Sequence, residues 1–148
     1  MLINSVDTGK KVFIIAEIGN NHEGDFKLAK EMILLASEAG ADAVKFQTFR
    51  TECYISAVDE KRFEMIKSFE LSISQFEELK NYAKKNNIGF ISTPLDIKSA
   101  KFLNNIVDAI KISSSDNNFF PLLKTIFSRD KPVILSTGLL GIEEIEET

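Results

Sequence analysis

Five short apolar runs, rich in β-branched and aromatic residues, are each followed by a stretch with helical spacing. This alternation constrains the fold more than any other feature. "VFIIAEIG" (Val12 to Gly19) precedes "DFKLAKEMILLASEAG", and "AVKFQTF" precedes a polar excursion and then "SQFEELKNYAKKNN". "IGFISTPL" leads into "DIKSAKFLNNIV", "AIKISSS" into "FPLLKTIFSRD", and "PVILSTG" into "GIEEIEET". Near-continuous apolar strands are buried on both faces, and strands alternating with helices build a parallel α/β sheet, open or closed into a barrel. Within the first helix, Leu28, Met32, Leu35 and Ala39 share one face at helical spacing, and Gly40 is a natural stop. Ser74 and Glu77 stand three apart, as in a capping box. The excursion from Arg50 to about Leu71 is long for a connection, which predicts a partly helical active-site or interface loop. No internal repeat or low-complexity segment is visible.

Length and charge narrow the function classes. The 148 residues, 44% hydrophobic and 27% charged, suffice for one ordinary core. A net charge of −4 without a basic run gives no electrostatic case for nucleic acid or an anionic membrane surface. Cys53 is the sole cysteine, so no intramolecular disulfide can form and a reducing compartment, the cytoplasm, is expected. The start "MLINSVDTGKK" has no signal-peptide pattern, and no apolar run reaches the ~18 residues of a membrane helix.

Polar residues gather at the C-terminal side of every strand candidate: Glu17; Lys45 with Gln47; Ser92 and Thr93; Lys111 with Ser113 and Ser114; Ser136 and Thr137. Side chains two apart share a strand face, so Lys45 and Gln47 point the same way. Ligands bind at the carboxyl ends of strands in parallel α/β folds. A lysine inside a central strand costs several kcal/mol unless something anionic pairs with it. Two such lysines amid hydroxyls, with "STG" at a helix start, form a phosphate cradle. Blander readings stand beside this one. Lys45 could snorkel to the rim or pair with Glu17 structurally, and each Ser or Thr could merely cap a helix. Asp116 could be an Asx turn, Cys53 an inert thiol, and the single histidine, His22, a surface or structural residue rather than a metal ligand.

At these residues the chain resembles the sialic acid synthase family, phosphoenolpyruvate-condensing enzymes that make N-acetylneuraminate and related nonulosonates. The matching stretches are "AEIGNNHEGDFKLAKEMI", "AGADAVKFQT", "FISTP", "AIKISSSDNNFFPLL" and "KPVILSTG", in the expected order over nearly the whole chain. The resemblance implies a TIM-type (β/α)₈ barrel, with an antifreeze-like C-terminal domain in many members. The family's phosphate-binding residues fall on Lys45, Thr93, Lys111, Ser114 and Ser136. Its first-strand carboxylate falls on Glu17, and Gln47 matches a residue that contacts the amino sugar. Asp116 takes the place of an acidic residue, commonly glutamate, that assists proton movement and placement of water. The family's "GSGE"-like run is "SSSD" here, without its glycines. The implied reaction joins phosphoenolpyruvate to an open-chain N-acetylhexosamine such as N-acetylmannosamine and releases phosphate. A divalent metal, Mn or Mg, polarises the aldehyde, held by later-strand histidines that this chain does not carry.

A (β/α)₈ barrel needs about 250 residues. Residues 1–148 are therefore expected to be the N-terminal part of one barrel domain, truncated to about five βα units, with the remainder and any antifreeze-like domain absent. Raw sheet edges predict a chain that self-associates as a homo-oligomer. The alternatives are another phosphoenolpyruvate-dependent sugar-acid synthase, whose sugar-phosphate substrate needs a second basic cluster, or a non-catalytic half-barrel that binds a phosphate ligand.

Overall fold

The computed structural model describes residues 1–4, 6–128 and 130–147. An antiparallel hairpin of β1 (Leu2–Ile3) and β2 (Val6–Asp7) comes first. Then follow β3 (Ile15–Gly19), α1 (Phe26–Glu38), β4 (Ala43–Thr48), α2 (Thr51–Tyr54), α3 (Glu60–Phe69) and α4 (Ile73–Lys85). The last elements are β5 (Gly89–Pro94), α5 (Ile97–Ile106), β6 (Ala109–Ile112), α6 (Phe120–Ile126), β7 (Val133–Leu135) and α7 (Ile142–Glu147). Strands β3 to β7 pair in parallel and in strict chain order. Sequential order means each crossover winds the same way, which curls a sheet toward a barrel rather than reversing it at a switch point. The chain is an arc of a TIM-type barrel.

Strand alternation separates two apolar layers. Val44, Phe46, Phe90, Ile110 and Ile112 face outward and meet Ile33, Phe76, Leu79, Leu103 and Leu122 of the covering helices. Phe46 anchors this layer, with its ring 5.3 Å from that of Phe90 and edge-on to Phe76 at 6.4 Å. Each fully buried side chain of this size contributes roughly 1.5–3 kcal/mol. The inward layer is smaller: Ala43, Ile91 and Ala109, flanked by Ile15 and Ile134. Ile3 of the hairpin, 1% exposed, packs into it and floors the arc. Nothing in "MLINSVDTGKK" announced that hairpin, because two-residue strands carry no periodicity.

Three sequence expectations change. The apolar stripe of α1 runs through Phe26, Ala29, Met32, Ile33 and Ala36, whereas Leu35 is 55% exposed and Ala39 lies at the surface. Apolar residues are so dense in "LAKEMILLASEAG" that two faces fit the spacing, and the alanine-bearing face lets the helix approach the sheet closely. The capping box of α4 is Ser72 with Gln75, not Ser74 with Glu77: Ser72 Oγ accepts from Gln75 N at 3.2 Å, and Ser72 N donates to Gln75 Oε1 at 2.8 Å. That choice brackets the box with buried Leu71 and Phe76 as a hydrophobic staple; the other would put exposed Ile73 and Glu78 there. A short repeat also exists, "DAVK" and "DAIK". Asp42 accepts from Ile14 N, just ahead of β3, and Asp108 from Phe90 N of β5, both at 2.8 Å, so each carboxylate receives an amide at the start of the neighbouring strand.

The excursion after β4 is helical, as α2 and α3. Glu70, behind α3, accepts from Thr51 N at 2.9 Å and Thr51 Oγ1 at 2.8 Å and pairs with Lys67 at 3.1 Å, tying both ends of the excursion together. The end of α3 lies on the β3–α1 loop. A Cβ built on Gly24 would stand 2.1 Å from the Ser68 carbonyl oxygen.

Candidate active site

Above the floored apolar layer, the same alternation continues the inward face with polar groups. Glu17, Lys45, Gln47, Thr93, Lys111 and Ser136 each lie an even number of residues beyond an inward-facing apolar residue of their own strand. Register aligns them: Glu17 stands opposite Lys45, and Gln47 opposite Thr93. The Lys45 ammonium is 2.7 Å from Glu17 Oε2 and donates to Thr93 Oγ1 at 3.2 Å. The Lys45 side chain is only 11% exposed and that of Glu17 55%, so the cation is desolvated while its carboxylate faces solvent. Lys111 donates to the Ile112 carbonyl at 2.6 Å and to Ser136 Oγ. Burial pushes the Lys111 ammonium below the usual lysine range, Lys45 pushes it further, and Glu17 opposes. Three charges therefore share one neighbourhood, two positive and one negative, at the strand ends where anions bind.

The β6–α6 and β7 loops close one side of this mouth. Ser114 abuts the "STG" turn, since a Cβ on Gly138 would lie 3.2 Å from Ser114 Cβ. Buried Asn117 donates Nδ2 to the Gly138 carbonyl at 3.0 Å and the Ser136 carbonyl at 3.3 Å, joining the two loops. Asp116 shapes a turn: its N–H donates to the Ser113 carbonyl at 3.1 Å, and its carboxylate accepts from the Ser113 and Ser115 hydroxyls. Among the described residues, no hydrogen bond or ion pair joins Asp116 to Lys45, Lys111 or Glu17. The "SSSD" run makes this loop without a positive φ, so the family's glycines are not needed for it.

Other residues fall outside the mouth. Ser92 points outward, fully buried, with its Oγ 2.7 Å from Thr48 Oγ1 and donating to the Phe46 carbonyl at 3.1 Å. His22 is 1% exposed, its ring 5.9 Å from that of Phe46, and its Nδ1 accepts from Gly24 N at 3.1 Å. Burial holds the His22 pKa below its ordinary value, with Asp25 opposing. It is buried rather than at the surface, and its Nε2 has no hydrogen-bond partner among the described residues. A cavity of about 470 Å³ lies away from the mouth, bordered by Asn4, Lys80, Asn87 and Asp108; its half-buried cation, Lys80, is already paired to Asp108 at 2.6 Å. Two asparagines were missed by sequence reasoning. Asn20, which donates Nδ2 to Gln47 Oε1 at 2.7 Å, and Asn117 sit in "GNN" and "DNN" runs respectively, the composition of turn formers. Their place in the loops that follow β3 and β6 was the available signal.

Comparison with known proteins bears on this arrangement. The family model described as "NeuB family" matches residues 32–148. An uncharacterised protein of Methanocaldococcus jannaschii is 51% identical over 96% of this chain and 42% of its own length. The N,N'-diacetyllegionaminic acid synthase of Campylobacter jejuni is 42% identical over 93% of this chain and 46% of its own. The crystal structure of N-acetylneuraminic acid (sialic acid) synthetase from Leptospira borgpetersenii in complex with citrate superposes with a TM-score of 0.86 at 38% identity, covering 92% of this chain and 48% of that one. The chain spans less than half the length of each of these relatives.

Proposed function

This chain belongs to the NeuB family, and we propose that residues 1–148 are the N-terminal part of a (β/α)₈ synthase that condenses phosphoenolpyruvate with an open-chain N-acetylhexosamine such as N-acetylmannosamine. The observation that carries this reading is the convergence of Lys45 and Lys111 on the inward face, with the Glu17 carboxylate beside them. Two partly desolvated ammonium groups bonded to the hydroxyls of Thr93 and Ser136 suit a phosphate monoester, and Ser114, against the Gly138 turn, would add a third hydroxyl. A bound phosphoryl group would take over the donors that Glu17, Thr93 and Ser136 now occupy.

In the proposed reaction the methylene carbon of phosphoenolpyruvate forms a bond to the aldehyde carbon, whose oxygen takes a proton. Water adds to the cationic centre left at the enol carbon, and that carbon's bond to the phosphate oxygen breaks, releasing inorganic phosphate. Glu17, mostly solvated once free of Lys45, would stabilise the positive charge. Asp116 would handle the proton of the attacking water, and Gln47 would contact the amino sugar. The divalent metal implied by the resemblance does not fit this chain's own residues. Among those described, no three His, Cys, Asp or Glu side chains form a metal site, and the one histidine is buried on Phe46.

Calorimetric titration of the complete protein with phosphoenolpyruvate and with inorganic phosphate tests the proposal. Losing one charge-assisted donor costs about 1.5–3 kcal/mol, so Lys111→Ala should bind roughly 10- to 100-fold more weakly. Wild-type affinity in Lys111→Ala would remove the phosphate reading. Absence of nonulosonate formation from the two substrates would remove the reaction.

A further inference from the structure

Gln47 and Asn20 form a side chain–side chain amide pair at the mouth, and the pair is directional. The β3–β4 register shifts between Glu17 and Gly19, and this bulge carries the chain over so that Asn20 reaches the end of β4. There Asn20 Nδ2 donates to Gln47 Oε1 at 2.7 Å. Two amides can pair in either of two opposite senses, and burial selects between them. The second polar atom of Asn20 is buried without a partner and is the carbonyl oxygen Oδ1. Flipping both amides would put an NH₂ in that unpartnered place, and an orphaned buried donor is rarer and costlier than an under-satisfied carbonyl. The observed sense therefore holds. It occupies the Gln47 oxygen and leaves the Gln47 NH₂, on the inward face beside Thr93, without a hydrogen-bond partner among the described residues.

We propose that Asn20 is a positioning residue that locks the Gln47 amide so that its NH₂ is presented to an acceptor oxygen of the amino-sugar substrate. This rests on the synthase reading given above. A glutamine free to rotate would offer either an acceptor or a donor, and would discriminate poorly between a carbonyl oxygen and an N–H at the same place. A locked one rewards an acceptor only.

Asn20→Asp is the decisive variant, because it keeps the shape and removes the donor. A carboxylate can only accept, so Gln47 turns its NH₂ toward position 20 and its oxygen toward the mouth. In the complete protein, KM for N-acetylmannosamine should rise on the order of 10-fold while KM for phosphoenolpyruvate stays within about twofold. In a Gln47→Ala background the same substitution should change neither by more than about twofold, since the lock then has nothing to hold. An equal effect in both backgrounds, or a matching rise in KM for phosphoenolpyruvate, overturns the proposal. Side-chain amide NMR reads the orientation independently of turnover. The wild type should show exchange protection on the Asn20 NH₂, and Asn20→Asp should transfer it to the Gln47 NH₂; an unchanged Gln47 signal also overturns the proposal. If the wild type does not condense N-acetylmannosamine while the NMR result appears as expected, the synthase reading has failed and the lock has not.

Discussion

The contact between the β3–α1 loop and the end of α3 can be measured through one methyl group. Gly24 has φ +83°, and a Cβ there would lie 2.1 Å from the Ser68 carbonyl oxygen. Gly40 has the same φ of +83°, yet a Cβ there would meet nothing within 4 Å. Gly40→Ala therefore isolates the conformational penalty, about 1–2 kcal/mol for an L-residue held left-handed. Gly24→Ala adds an overlap of more than 1 Å with backbone, which only a shift of α3 can relieve. Overpacking of that kind costs a further ~1–3 kcal/mol, for a total of about 2–5 kcal/mol. Urea denaturation of both variants gives the two free energies, and limited proteolysis reports whether residues 51–71 loosen. The expected pattern is a clear gap between the variants, with faster cleavage only in Gly24→Ala. Equal free energies within about 0.5 kcal/mol, with unchanged cleavage, would refute the packing argument.

The Lys111 ammonium titrates below the usual lysine range, so phosphate affinity should begin to fall at a lower pH than an ordinary lysine would cause. Lys111→Arg, charged throughout, should bind without that alkaline loss, and calorimetry across pH decides it. His22 has a folded pKa below its unfolded one, so its neutral form adds stability above the ordinary histidine pKa. That stability drains as pH falls from there toward the lowered folded value. Urea midpoints from pH 7.5 down to 5.5 should fall less steeply in His22→Gln than in the wild type, and parallel slopes would sink the assignment. Asp116→Asn should cut turnover about 10²–10⁴-fold with phosphoenolpyruvate affinity nearly unchanged, and Asp116→Glu should retain activity. Normal turnover in Asp116→Asn would leave Asp116 as the turn former its serine contacts already make it.

Much of the inward face could be read in the sequence because a parallel strand is the simplest of codes. In "VKFQT", a lysine and a glutamine two apart interrupt an apolar run, and only a shared polar face explains both. Ser92 and Thr93 show the limit: both are hydroxyls at one strand end, and parity alone sends Thr93 to the mouth and Ser92 under the helices. What escaped depends on distances between segments. Asn20 matters through a residue 27 positions away and Asn117 through carbonyls 19 and 21 away. A short polar side chain in a loop looks the same whether it turns its own backbone or bonds another's. The α1 stripe failed for a different reason, an excess of apolar residues that left the face degenerate, and tertiary packing chose between the options.

The hairpin that floors the arc imposes an order on assembly. Ile3 precedes every strand of the arc, yet it is buried against Ile91 and Ala109, which lie far along the chain from it. Its loop-closure entropy cannot be repaid until β5 and β6 are paired, so the hairpin must wait, tethered and unpacked, while the arc condenses. The hairpin, ahead of the arc in sequence, is thus the element that docks last. Truncating Ile3 should consequently speed unfolding while leaving the folding rate nearly untouched, the kinetic mark of a latch rather than a nucleus.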